Sequence, residues 1–383
     1  MSSSSSTPRV GIIGAGIIGL SVAYELAVQR GVRVTVHDVR APGRGASWAA
    51  AGMLAPAFEA AAEPGVHPRL FELCLEGAAL WPEFASDLAA RTGASVGLDQ
   101  TASLAVALDD AEAARLDLIA RTLAQKGIAH DRLTGDQVRA LEPALSAEVR
   151  GGLELSTDFR VHNRLTVTAL LKALHDSPNA TFANGPAPLR SVAGKLVLAG
   201  HDAIVVAAGW ESASVKVEEN GQLYSLVNWE TALDEIDCHG GQMLSVKASE
   251  GAPVRVVRAG HIYLVPRRGE VVIGATMEPD RVIDAPEPDV IDALRTAGGR
   301  LCPGLAGAPV VESWAGVRPG TPDHAPFIGP TSTPGLYIAA GHYRNGILLA
   351  PVTARIIADQ VLGARTGDLA AAFGPHRAFA ATA

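Results

Sequence analysis

Cysteine is scarce in this chain: Cys74, Cys238 and Cys302 are the only three in 383 residues. They are far apart and form no CxxC pair. A disulfide framework, a thiolate zinc site and a redox dithiol are therefore poor organising features, and no metal is expected. Long apolar runs are missing too. None reaches the ~18 residues that a membrane-crossing helix needs. The apolar run from Val10 is cut by glycines, unlike the core of a signal peptide, so a cytoplasmic protein is expected. Basic tracts are also absent, and the formal net charge is −8, which argues against a nucleic-acid partner.

What remains is a chain that is 48% hydrophobic and longer than one typical domain, so two domains are expected. The first residues, MSSSSSTPRV, read as a short polar tail without order. Arg9–Ile13 then suits a buried parallel strand. Gly14-Ala15-Gly16-Ile17-Ile18-Gly19 follows it, and Leu20–Arg30 reads as a helix ended by Gly31. Val32–His37 reads as a second strand, with Asp38 at its end, 19 residues after Gly19. This is a complete dinucleotide fingerprint. Its glycines allow a tight turn and close backbone approach, its helix start offers N–H groups to phosphate, and its acid meets a ribose hydroxyl. The acid disfavours a 2′-phosphate, but the motif leaves NAD and FAD both open. Ala203–Gly209 and Leu336–Gly341 read as two further strands of the same parallel sheet.

The stretch Trp314–Thr321, WAGVRPGT, puts Arg318 in an apolar segment. Pro319 restricts the arginine to extended angles, and Arg318-Pro319-Gly320-Thr321 reads as a type II turn. Read from the residues alone, Arg318 is either a surface cation or a receptor for an anionic substrate.

The chain resembles the glycine oxidase group of D-amino-acid-oxidase-like flavoproteins, several of which serve thiazole biosynthesis. The resemblance is carried by Gly45–Pro56 (GASWAAAGMLAP), His261–Arg267 (HIYLVPR), Gly274–Met277 (GATM), Trp314–Thr321 and Gly341–Pro351 (GHYRNGILLAP). It runs from residue 9 to about 363. It implies an α/β fold, with a Rossmann-like FAD-binding domain and a second α+β domain on an antiparallel sheet. The boundaries it suggests are 1–82, 148–212 and 316–383 for the first domain, and 83–147 and 213–315 for the second.

The resemblance also implies FAD, held without a covalent link, since no cysteine lies near 316–319. Its contacts would be Gly14, Gly16, Ile17, Ile18, Gly19, Asp38, Val39 and Arg40, then Ala46, Ser47, Ala50, Ala51, Gly52, Met53 and Leu54. Ala208, Gly209, His342, Arg344, Asn345, Gly346, Ile347 and Leu348 would complete the set. A helix over about Ile347–Leu362 would aim its positive end at the flavin.

On the substrate side the resemblance implies a carboxylate held by Arg318 and Tyr263, with Met277 and Arg344 nearby. Residues 254–277 read as a β-meander, and either a two-residue or a three-residue loop follows Arg267. The three-residue loop would set Tyr263 opposite Ala275 and His261 opposite Met277, all on one face, and it is favoured because the resemblance places the residues matching Tyr263 and Met277 at the substrate.

The implied reaction is oxidation of glycine or a small or N-substituted amino acid to an imine, with hydride passing to flavin N5 and oxygen yielding peroxide. A dehydrogenase with another electron acceptor and a non-enzymatic flavoprotein are the alternatives. Relatives are often homo-oligomers. Two departures stand out. Asp38 stands where many relatives carry Glu, and residues 210–240 look long and acidic. The latter read as a solvated loop, with a cover over the substrate entrance or a subunit contact as other readings.

Overall fold

Arg9–Ile13 lies inside a six-stranded sheet, between Ala203–Val206 and Arg33–Asp38. Both pairings are parallel, as the glycine-ended apolar runs require. The sheet continues to Leu336–Ala340 and Phe327–Pro330 on one side and to Ala180–Asn184 on the other. The computed structural model describes residues 7–61 and 65–379, and the polar tail Met1–Ser6 lies outside them.

The helix after the glycine motif starts earlier than expected, at Ile17, and is regular to Tyr24. It then widens into a π-helical turn over Glu25–Gln29, where Arg30 N–H donates back to the Glu25 carbonyl. Gly31, at φ +68°, reverses the chain into the next strand. Helices Leu70–Thr92, Asn163–His175 and Gly346–Val361 pack with it into one apolar core that buries Trp81, Leu73 and Leu349 completely.

A second, nine-stranded sheet carries the other half. One end of it is the long antiparallel pair Asp237–Lys247 and Val310–Gly320. Glu270–Gly274, Ile262–Arg267 and Val257–Ala259 follow, then Ser103–Ala107, Gly151–Leu155 and His130–Thr134. Helix Asp110–Gln125 covers part of it. Thr134 and Gln137 close a capping box at the start of the helix Gly135–Leu141. Gly151–Leu155 pairs here with Ser103–Ala107, on the far side of the boundary expected at 148.

Residues 210–240 are not a solvated loop. Lys216–Glu219 and Gln222–Ser225 form a hairpin whose turn residues, Asn220 and Gly221, both have positive φ. The hairpin extends Leu189–Val192 and Lys195–Leu198 into a four-stranded sheet. Leu226 and Leu233, at 0% exposure, plug the segment into the core, which is why it orders despite its acidity.

Candidate active site

One elongated cavity of about 1380 Å³ joins the glycine motif to Arg318. At its nucleotide end the glycines are sterically required. Gly14 has φ +109°, and a Cβ there would sit 2.3 Å from the Ala207 carbonyl oxygen. Gly19 lies just behind the wall, where a Cβ would meet the Gly14 oxygen at 1.9 Å. The Asp38 carboxylate is fixed by two backbone donors, Ala15 N–H at 2.6 Å and Arg40 N–H at 2.8 Å. A carboxylate accepts about four hydrogen bonds, so capacity remains for a ribose. Ser47 Oγ accepts from Ile17 N–H at 2.8 Å, which ties the second segment to the helix start. A bare glycine cradle, a helix N-terminus and an oriented acid along one open trough fit a dinucleotide.

The Ser47–Ala51 backbone is held from behind through its carbonyls. Asn163 Nδ2 donates to Ser47 O at 2.6 Å and to Trp48 O at 3.2 Å. Trp314 Nε1 takes Ala49 O at 3.0 Å. Arg267 Nη2 reaches Ala50 O at 3.2 Å, Ala51 O at 3.4 Å and Asn163 Oδ1 at 2.8 Å. Burial brings the Arg267 guanidinium down to about 10, still charged at neutral pH. Ala46, Ser47, Ala50, Ala51, Gly52 and Met53 line the cavity, whereas Leu54 is turned into the core at 0% exposure. Sequence reasoning missed Asn163, Trp314 and Arg267 in this role: Trp314 and Arg267 stand at the ends of stretches that carry the resemblance, but nothing local marks what they hold.

At the substrate end the favoured register is overturned. Arg267 pairs with Glu270 and Tyr263 with Gly274, so the loop has two residues, Arg268 and Gly269. Gly269 adopts φ +77°, which lets the chain reverse without a third residue. Tyr263 therefore lies over the bare Gly274, whose added Cβ would meet the Tyr263 ring at 2.5 Å. Its hydroxyl reaches Met243 Sδ at 3.7 Å. Burial pushes the Tyr263 phenol up, against the pull of Arg318 and Arg258, so it stays a neutral donor.

The expected turn at Arg318 is also overturned. Arg318, Pro319 and Gly320 are the last residues of the Val310–Gly320 strand, paired with His239, Cys238 and Asp237. Gly320 is extended with the strand, so the mount is a sheet ladder rather than a type II turn. The Arg318 side chain crosses Gly241, where a Cβ would sit 2.3 Å from Nη1. Nη1 donates to the Gly240 carbonyl at 3.1 Å and the Thr276 carbonyl at 3.3 Å. Met277 Sδ lies 3.8 Å from Nη1 and 3.2 Å from the Tyr343 hydroxyl. Arg318, Tyr263 and Met277 thus share one wall.

Arg344 lines the cavity but is engaged with buried Glu59. Its Nε and Nη2 donate to the two carboxylate oxygens at 2.7 and 2.9 Å. Burial works to raise the Glu59 carboxyl, but Arg344 overcomes it and holds the group below its usual range. His342 is buried and meets Thr353 Oγ1 at 2.9 Å; burial pushes its imidazole down to about 3, so it is neutral. Asn345, Gly346 and Ile347 reach the cavity, as do Gly16, Ile17, Ile18, Val39, Arg40, Ala208 and Gly209. Leu348 does not. It is 1% exposed in the core, and its carbonyl accepts from Trp81 Nε1 at 3.0 Å. The helix runs Gly346–Val361, starting one residue earlier than expected, with Pro351 inside it. Pro351 has no N–H for the Ile347 carbonyl one turn back.

Two ends, a glycine-cradled trough and a sheet bearing an arginine fork, thus meet in one cavity. The profile of a family described as FAD dependent oxidoreductase (DAO) matches residues 9–360. The chain belongs to that family. It is an FAD-dependent enzyme of the oxidoreductase class. The chain is similar to the glycine oxidase of Pseudomonas putida, at 30% identity over 368 residues that cover 93% of this chain and 95% of the relative. It is also similar to the "Bifunctional protein ThiO/ThiG" of Trichormus variabilis, at 33% identity over 96% of this chain. The chain spans 54% of that curated relative's length. The crystal structure of glycine oxidase from Geobacillus kaustophilus superposes with a TM-score of 0.83 at 31% identity, covering 98% of this chain and 100% of the other.

Proposed function

We propose that the chain catalyses oxidative deamination of glycine or another small or N-substituted amino acid. The observation that carries this reading is the Arg318 fork, fixed on two backbone carbonyls at the far end of the cavity from the nucleotide fingerprint. A guanidinium presented on a rigid strand suits a carboxylate, and neutral Tyr263 on the same wall adds a donor. Together they orient the substrate Cα–H bond towards the middle of the trough. Glu59 cannot serve as a base, because both its oxygens are held by Arg344. The substrate amine therefore reacts in its neutral form, and the resulting imine hydrolyses to a 2-oxo acid. When bound, the flavin supplies the two-electron acceptor for the Cα hydrogen.

The residues that would hold the flavin are the glycine cradle, Asp38, the 46–53 segment and the start of the Gly346–Val361 helix. That 16-residue helix presents its positive end to the cavity, which favours negative charge there. Among the described residues no cysteine lines the cavity, which supports a non-covalent cofactor. Oxygen is the proposed terminal acceptor, with peroxide as its product. The resemblance to flavoproteins of thiazole biosynthesis makes a role in thiazole formation, in the cytoplasm, part of this proposal. No helix among the described residues is long and apolar enough to cross a membrane.

The test is anaerobic mixing of the purified holoenzyme with glycine, sarcosine and D-alanine while the flavin absorbance is followed. Bleaching by glycine or sarcosine, followed by peroxide on admitting air, is the expected result. Bleaching without peroxide would make the chain a dehydrogenase, and no bleaching by any amine would leave a non-enzymatic flavoprotein.

A further inference from the structure

The substrate end holds a cation that the chemistry above does not use. Arg258 lies in the strand Val257–Ala259 directly opposite Tyr263. Residues paired in this way share a face of the sheet, and both line the cavity. The Arg258 guanidinium packs 3.8 Å over the Phe58 ring, which fixes its plane. Its Nη1 is buried and has no hydrogen-bond acceptor among the described residues.

The anions that act on Arg258 do not neutralise it. Glu59 spends both carboxylate oxygens on Arg344. Asp158 is fully buried and off the cavity wall, and its Oδ2 has no hydrogen-bond partner among the described residues. Burial pushes the Asp158 carboxyl up to about 7 and brings Arg258 down to about 10, so at neutral pH the arginine is charged and the acid only partly so. Once a substrate carboxylate has neutralised Arg318, one desolvated cation remains on the same wall. A buried donor of this kind is costly unless an anion meets it. Tyr263, paired with Arg258, lines the same cavity as Arg318, and both arginines act electrostatically on its hydroxyl.

We propose that Arg258 is a second anion receptor, and that the site prefers short amines bearing two carboxylates over their monocarboxylate counterparts. This rests on the amine-oxidising reading above. With iminodiacetate, Arg318 takes one carboxylate and Arg258 the other. Hydride leaves one methylene for the flavin and the nitrogen loses a proton, so a C=N bond forms. Water then adds and the C–N bond breaks, giving glyoxylate and glycine. Glycine is itself a substrate for the same site.

The experiment measures anaerobic flavin reduction in the holoenzyme with glycine, iminodiacetate and N-ethylglycine, which replaces the second carboxylate by a methyl group. The native protein should favour iminodiacetate over N-ethylglycine by about 10-fold or more in reduction efficiency, as a charged hydrogen bond implies. Arg258→Met should collapse that ratio by roughly 10–100-fold, and Arg258→Lys should restore part of it. If Arg258→Met fails to hold flavin, the native ratio and the Lys variant still decide. Reduction by glycine with no preference for the diacid, or an unchanged ratio in both variants, overturns the inference alone. Reduction by none of the three overturns the amine-oxidising reading and this inference with it.

Discussion

The two ends of the cavity are built from different materials. The nucleotide end is backbone: bare glycines, a helix start and one acid held by peptide N–H groups. The substrate end is side chain: Arg318, Tyr263 and Arg258 on strands of one sheet, with Gly241 and Gly274 leaving room for the first two. Backbone recognition tolerates little change in shape but is indifferent to which residues stand outside the turn. Side-chain recognition is easily retuned, because each group can be exchanged without altering the ladder that carries it. One half of the site therefore fixes the cofactor class, and the other is free to choose the amine.

That contrast predicts separable losses. Arg318→Ala should cost about 3–5 kcal/mol in the flavin-reduction efficiency with glycine, the value of a desolvated charge pair, while leaving the flavin content near native. Rapid-mixing spectroscopy measures both quantities at once. A variant that loses flavin and turnover together would break the division between the two ends.

Gly14→Ala should do the opposite. Positive φ and a contact of 2.3 Å with a backbone oxygen leave no room for a methyl group. The strain should weaken flavin binding by roughly 2–4 kcal/mol. Titration of the apoprotein with FAD, followed by flavin fluorescence, gives the number. Native affinity in this variant would mean that the cradle does not hold the pyrophosphate.

The same contrast explains what could be read in advance. Gly14, Gly16 and Asp38 lie within one strand–helix–strand unit, so local spacing reveals both fold and ligand. Arg318 lies on a strand distant in sequence from Tyr263 and Met277, and only resemblance to a family gathered them. Register was read wrongly because it depends on one φ angle at Gly269, which gives a two-residue loop the reversal that three residues were expected to supply. The Arg318 turn was read wrongly because Pro-Gly marks a turn locally, whereas pairing with Asp237–His239 keeps it extended. Residues 210–240 looked solvated because their charges are visible in sequence and the burial of Leu226 and Leu233 is not. Asn163 carries no signal, and Arg267 stands in a stretch that carries the resemblance without revealing its role, since holding carbonyls depends on how two distant segments pack.

Arg267 sharpens the comparison because it is a side chain serving the backbone end. Arg267→Met removes the donor from the Ala50 and Ala51 carbonyls. FAD affinity should fall by about 1.5–3 kcal/mol, the value of a hydrogen bond to a charged group. Glycine binding to the flavin-loaded variant, followed by spectral perturbation, should change less than the FAD affinity does. An equal loss in both would mean that Arg267 shapes the substrate end directly.

The smallest effect concerns pH. Behind the substrate end, Asp158 is buried at 0% exposure, and its Oδ1 accepts from Ala57 N–H at 2.8 Å. Its Oδ2 has no partner among the described residues. Burial pushes the carboxyl up to about 7 in the fold, against about 3.9 in an unfolded chain. Between these values the folded state binds more protons than the unfolded one, so this group makes stability fall as pH rises. Its contribution is fully present below about pH 4 and is lost as pH rises through about 7. Asp158→Asn keeps the acceptor for Ala57 and removes the ionisation. The variant should therefore gain on the native protein between pH 5 and pH 8, by about 1–3 °C in melting temperature. Melting curves of the two proteins at both pH values test the sign. A gap that narrows towards pH 8 would mean that Asp158 is ionised throughout and that Arg258 is its counter-ion, which would also remove the excess cation from the substrate wall.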